Sequence, residues 1–233
     1  MAYSNCRLPM TNPFMGISMF DAGGNNMKKR WVYPHITIAT GNKNKLKQFA
    51  ELFAKHLGLE VKGLADYPDM PEIVEDCDTF EGNAIKKAET ISRMLNIPVV
   101  SDDSGLVVPA LGGEPGVYSA RYSGPGATDE QNNLKLLGKI QAIPPERREG
   151  FYVCAMALAI PGEKTEVVRG ECRGIITDQP RGEWGFGYDP LFYFPEKGKT
   201  MAELTNEEKF AFSHRARATE KLIALLKERY LFS

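Results

Sequence analysis

The feature that most limits the fold is a pair of long strand-forming runs on either side of a tight turn. Phe151 to Ile160 and Thr165 to Arg173 flank Pro161-Gly162-Glu163-Lys164, a hairpin signal that makes the sheet at least partly antiparallel. Upstream of it, strand and helix patterns alternate. His35 to Thr40 (HITIAT) is β-branched and apolar, as a buried strand requires, and Gly41 breaks it. The following helix puts Leu46, Phe49, Ala50, Phe53 and Leu57 on one face. Leu59 to Leu64 reads as a second strand, and Asp66 to Asp78 as an acidic, proline-containing loop. Thr79 can cap a helix whose apolar face is Ala84, Ala88, Ile91 and Leu95. Ile97 to Ser101 forms a short strand, with Asp102-Asp103-Ser104-Gly105 expected as the turn at its end. Residues 109–126 are rich in Gly and Pro and read as loop. Thr128 with Gln131 is a capping box opening a helix through Leu134 and Leu137, and Pro190 to Phe194 is another strand. Thr205 with Glu208 is a second capping box, opening a final helix expected to run to about Tyr230. The reading is α/β with a mixed sheet.

The composition narrows the function classes. Of 233 residues, 42% are hydrophobic and 25% charged, an ordinary globular balance that excludes a mostly disordered chain. The net charge of -1 supplies no basic field for long nucleic acid, although a small anion needs only a local basic pocket. Cys6, Cys77, Cys154 and Cys172 form no C-x-x-C pair, so neither zinc nor a structural disulfide is expected, and reduced thiols in a cytoplasmic protein are. No apolar run approaches the roughly 18 residues that would span a membrane. Residues 1–33 mix Asn, Gly, Met and Ser and read as a poorly ordered extension before the domain at 34–233. A small docked helix is the alternative for that stretch.

Four clusters carry chemistry. Thr40-Gly41-Asn42-Lys43-Asn44-Lys45 lies at a strand-to-helix junction, where free N–H groups, the helix dipole and Lys45 can meet a phosphate; the plain alternative is a strand–helix turn with solvated lysines. Asp102 and Asp103 close an apolar strand, and one of them with a glutamate of the acidic loop, Glu75 or Glu72, would satisfy magnesium, which takes few protein oxygens. The plain alternative is an Asp-rich surface turn. In Trp184-Gly185-Phe186-Gly187-Tyr188-Asp189-Pro190 the glycines expose backbone and the aromatics offer a stacking face, or the segment is an aromatic bulge on the core. Lys209 with Ser213-His214-Arg215 can hold phosphate or donate to a base carbonyl, or is a solvated basic helix start.

Taken together, TGNKNK, TFEGNA, SDDSGL, LGGEPGVYSARYSG, GFGYDP and KFAFSHRA resemble the inosine triphosphate pyrophosphatase family, in its order and spacing from about residue 36 to 230. The resemblance implies two α/β lobes around a long bent mixed sheet, with a nucleotide in the cleft between them, and a homodimer. It implies magnesium-dependent hydrolysis of deaminated purine nucleoside triphosphates (ITP, dITP, XTP) to monophosphate and pyrophosphate. It matches Thr40 to Lys45 to phosphate binding, Asp103 to the catalytic acid–base position and a magnesium ligand, Glu75 to the other magnesium ligand, and Ser104 to a substrate contact. Phe186, Gly187, Tyr188 and Asp189 match the base-binding segment, with Lys209, His214 and Arg215 beside it. Rival readings are a pyrophosphatase for pyrimidine or other modified nucleotides and a nucleotide-binding module without catalysis.

Overall fold

The computed structural model describes residues 28–232, without the side chains of Asn44 and Phe210. In chain order the strands and α-helices are β1 (Lys29–Arg30), β2 (His35–Ile38), α1 (Lys43–Leu57), β3 (Glu60–Gly63), α2 (Phe80–Leu95), β4 (Val99–Val107), α3 (Asp129–Ile140), β5 (Glu149–Ala159), β6 (Glu166–Ile176), β7 (Phe192–Phe194), β8 (Lys199–Thr200), α4 (Asn206–Phe210), α5 (His214–Arg229) and β9 (Tyr230–Leu231). A seven-stranded sheet runs β3-β2-β4-β5-β6-β7-β8. β2 pairs in parallel with β3 and β4, whereas β6–β7 and β7–β8 are antiparallel. β5 and β6 are neighbours joined by the short connection 160–165, which only antiparallel pairing allows. The expected α/β chain with a mixed sheet is what forms. No described helix is long and apolar enough to cross a membrane.

The chain divides into two units: one of residues up to Asp102, Ala155–Val168 and the chain from Thr219, the other of Asp103–Cys154 and Arg169–Ala218. In the first, α1 buries Phe49, Phe53 and Leu57, and α2 buries Ala84, Ala88 and Ile91, the faces their spacing predicts. Thr79 caps α2 by accepting the Gly82 N–H. Gly63 lets β3 lie under α1, since a Cβ there would run into the Leu46 side chain. The structured chain begins before the expected start near Tyr33. β1 pairs in parallel with β9, and Trp31 is buried with its ring 5.3 Å from Tyr230 and 5.5 Å from Tyr33 and from Phe232. Lys29 pairs with Glu163, which also accepts the Tyr230 hydroxyl. The remainder of the expected extension, residues 1–27, lies outside the described residues.

The second unit packs around Leu106, Leu136, Ile140, Tyr152, Ile176, Leu191 and Phe192. Both capping boxes form, Thr128–Gln131 on α3 and Thr205–Glu208 on α4. Three expectations need correction. Asp102 to Gly105 is no turn but continuous strand within β4. Asp, Ser and Gly are poor strand formers, but the stretch continues the Val99–Val100 ladder with β2 and runs on in β4 beside its other sheet neighbour, β5, and pairing overrides propensity. The final helix is two helices, because the Ser213 hydroxyl accepts the Ala216 N–H and caps a new start at His214. Cys154 and Cys172 are buried and in no disulfide, while Cys77 is disulfide-bonded, against the expectation of reduced thiols.

Candidate active site

In the first unit, β2 ends at Ile38 and hands the chain to a capped helix start. The Asn42 N–H donates to Thr40 Oγ1 (3.2 Å), and the Lys45 N–H donates to Asn42 Oδ1 (3.2 Å), so Asn42 is the N-cap of α1. Gly41, Asn42 and Lys43 are exposed, and the Asn44 side chain lies outside the described residues. The segment therefore presents a helix N-terminus and its dipole to solvent, the arrangement that receives an anion. Lys45 is turned inward. Its Nζ lies 3.0 Å from Asp102 Oδ2, and the Asp102 side chain is only 5% exposed.

A second lysine completes this network. Lys87 of α2 donates to the Asp102 carbonyl (3.0 Å) and forms an ion pair with Glu75. Its neighbour Lys86 bonds Asp76 at 2.5 Å and holds that carboxyl below the usual carboxylate range. Consecutive lysines thus pin the acidic loop onto α2. Glu75 is half-buried in this network, whereas Glu72 is exposed. Sequence reasoning missed Lys87 because it read α2 only for its apolar face. The signal was there in TFEGNAIKKA: Lys87 stands four residues after the buried Asn83, whose Oδ1 accepts the Cys77 N–H.

Asp103 follows Asp102 on β4, so its side chain leaves the opposite face of the strand. Its Oδ1 accepts the Ser104 N–H at 2.9 Å, and the residue is 9% exposed. No cluster of three or more His, Cys, Asp or Glu side chains suited to a metal occurs among the described residues. Magnesium does not need one. It is bound by one or two carboxylates, with water and phosphate completing the shell. Asp103 of the second unit and Glu75 of the first each carry hard carboxylate oxygens of the type that chemistry uses.

In the second unit, residues 186–189 form a closed turn. The Asp189 N–H donates to the Phe186 carbonyl (3.3 Å), and the Phe186 N–H points back at Asp189 Oδ2 (3.4 Å). Gly187 takes φ 59°, the left-handed region that suits glycine at the turn's second position. Asp189 is buried. It bonds Lys209 Nζ (3.0 Å) and accepts the Tyr152 hydroxyl (3.2 Å). Burial pushes the Asp189 carboxyl up, and the Lys209 ammonium pulls against that shift. Tyr188 is also buried, and its hydroxyl donates to the Ser119 carbonyl. Burial and the nearby Asp189 carboxyl push the Tyr152 phenol well up. Tyr188, Asp189 and Lys209 thus brace the turn from beneath, while Phe186 (61% exposed) and Trp184 (72% exposed) face outward.

His214 and Arg215 occupy the first turn of α5. The His214 ring stacks on Tyr152, with centroids 4.9 Å apart and planes 16° apart. Gly170 of β6 makes this docking possible, because a Cβ there would overlap the His214 carbonyl and the Ala218 nitrogen. Tyr152 thereby joins Asp189, Lys209 and His214 in one buried polar group.

Known proteins share this pattern over most of the chain. Residues 36–225 match the Ham1 family. A protein of Geobacillus kaustophilus (strain HTA426) named dITP/XTP pyrophosphatase is 56% identical over 187 residues, covering 80% of this chain and 91% of that one. A protein of the same name from Geobacter sulfurreducens is 51% identical over 193 residues, covering 83% and 94%. Among solved structures, the Ham1 protein of Staphylococcus aureus superposes with a TM-score of 0.77 at 43% identity, covering 83% of this chain and 98% of that one. A HAM1 protein of Coxiella burnetii gives 0.79 at 37% identity, covering 84% and 100%. Sequence and backbone agree across the span that holds the capped helix start, the paired aspartates and the closed aromatic turn, and the chain belongs to the Ham1 family.

Proposed function

We propose that this chain is a nucleoside triphosphate pyrophosphatase that hydrolyses deaminated purine nucleoside triphosphates, ITP, dITP and XTP, to the monophosphate and pyrophosphate. The names of its relatives support the reaction and the substrate class. The observation that carries it is the Lys45–Asp102–Lys87–Glu75 network beside the capped start of α1. It sets cations, a helix N-terminus and carboxylates together, as a polyphosphate with a divalent cation requires.

Asp103 and Glu75 would hold magnesium, which when bound neutralises charge on the phosphate oxygens. Lys45 arrives already oriented by Asp102 and, with the N–H groups of Gly41, Lys43 and Asn44, binds the departing phosphates. Asp103 orients a water and takes its proton as the water oxygen attacks the α-phosphorus. The α–β bridging bond breaks and pyrophosphate leaves. Ser104 contacts the substrate beside Asp103. The Phe186 ring stacks on the base, and His214 or Arg215 donates to its 6-oxygen, a group that adenine replaces with an amine. The domain is residues 34–233 with the Lys29–Trp31 flank attached, acting on the cytoplasmic nucleotide pool as a homodimer.

The test is pyrophosphate release from dITP, XTP, dGTP, dATP and pyrimidine triphosphates, with and without magnesium. Selective, magnesium-dependent release from dITP and XTP is expected, and Asp103→Asn should fold normally yet lose turnover by at least about a hundredfold. Equal rates on all substrates, or full turnover by that variant, would refute the reading.

A further inference from the structure

The turn that carries Phe186 is gripped by a helix to which the sequence motifs assign no role. Asp129 and Asn133 stand one turn apart at the start of α3. Asp129 Oδ2 accepts the Gly187 N–H at 2.6 Å, and Asn133 Nδ2 donates to the Gly187 carbonyl at 2.8 Å. Both polar groups of one glycine, at a left-handed φ, are held by two side chains of one helix. A trans peptide is planar, so fixing the Gly187 N–H fixes the peptide that leaves Phe186. Fixing the Gly187 carbonyl fixes the next peptide as well.

Asn133 shows that the grip is specific. Its amide nitrogen also donates to the Asp129 carbonyl at 2.9 Å. Two carbonyls therefore dictate which way the amide faces. Its Oδ1 is left buried with no hydrogen-bond partner among the described residues. The helix start is itself immobilised. Thr128 and Gln131 close the capping box, Asn132 Oδ1 accepts the Ser123 N–H, and Asn132 Nδ2 donates to the Ala120 carbonyl. Asp189 closes the same turn from within, so the exposed Phe186 ring is presented by a backbone held on both sides.

We propose that Asp129 and Asn133 are positioning residues that set base selectivity by fixing the peptides around Phe186, an inference that rests on the reading of residues 186–189 as the base-binding segment. They touch no substrate. They determine where the aromatic face lies, and so which purine edge meets the donors beside it. Their loss weakens binding of the preferred base more than it slows the chemical step.

The experiment is steady-state kinetics of the full chain on dITP and dGTP with magnesium. It compares wild type with Asp129→Ala, Asn133→Ala, Asn133→Asp and Asp129→Asn. Loss of either bond should raise KM for dITP about tenfold, with kcat within about twofold, and narrow the dITP-to-dGTP ratio of kcat/KM. Asp129→Asn keeps an oxygen that accepts the Gly187 N–H and should stay near wild type. Asn133→Asp removes the amide donor at almost constant size and should behave as Asn133→Ala. These two nearly isosteric variants carry the test if the alanine forms unfold. Wild-type KM and an unchanged ratio in Asn133→Asp, or a fall in kcat at constant KM, overturns the proposal. A wild-type enzyme that releases no pyrophosphate from dITP defeats the functional reading and this inference with it, whereas active wild type with indistinguishable variants defeats the positioning role alone.

Discussion

A methyl group added at Gly185 would lie 2.6 Å from Lys209 Nζ and closer still to Asp189 Oδ2, on a backbone at φ 117°. Gly187 sits two residues on at φ 59° with open space where its Cβ would be. Both are glycines at positive φ, but only the first also shields a buried ion pair. Gly187→Ala should cost about 1 kcal/mol, the strain of a left-handed alanine. Gly185→Ala adds disruption of the Asp189–Lys209 pair and should cost at least about 3 kcal/mol. Urea unfolding of the two variants checks the order, and equal losses would show that the pair has no part in holding the turn. The glycine–aromatic alternation was legible in the sequence as a departure from a core strand. The division of labour within it was not. Phe186 faces out while Tyr188 and Asp189 face in because Ser119, Tyr152 and Lys209 reach them from distant parts of the chain. Asp129 and Asn133 escaped notice for the same reason, since their partner Gly187 is 58 and 54 residues away.

At the scale of elements, local signals read well. Thr79, Thr128 and Thr205 each cap a helix at the start that the sequence predicts, because a cap is decided within four residues. The break between α4 and α5 is just as local, but it was hidden by a basic run that could continue a helix. There Ser213 supplies the second cap. Ser213→Ala should destabilise by about 1 kcal/mol, the usual value of such a bond. Thermal or urea unfolding checks it, and a variant as stable as wild type would mean that Gly170 and the Tyr152 stack alone dock His214. The strand β4 shows the opposite limit. Its SDDSG stretch has the composition of a turn and becomes strand because it prolongs the Val99–Val100 ladder with β2 in a strand that neighbours β5, with the Asp102 charge held by Lys45. Propensity could not show this, because the deciding terms belong to other segments.

For the whole molecule, the α/β class and the mixed sheet followed from the Pro161–Lys164 turn and the strand–helix alternation before it. The attachment of the N-terminal flank did not, since Lys29-Arg30-Trp31 has no pattern of its own and pairs with residues about 200 positions away. Trp31, buried against Tyr33, Tyr230 and Phe232, is where that attachment has its strength. Trp31→Ala should cost about 3 kcal/mol, as removal of a buried tryptophan side chain does. A loss below about 1 kcal/mol by urea unfolding would show that the flank contributes nothing. The parallel register of Lys29 with Tyr230 and Arg30 with Leu231 also has a mechanical meaning. The chain enters this ladder at one end and leaves at the other, so a pull on the two flanks loads both residue pairs together in shear instead of peeling them apart one at a time. Tension applied through the flanks meets this clamp before it reaches residues 36–225, the segment that matches the Ham1 family.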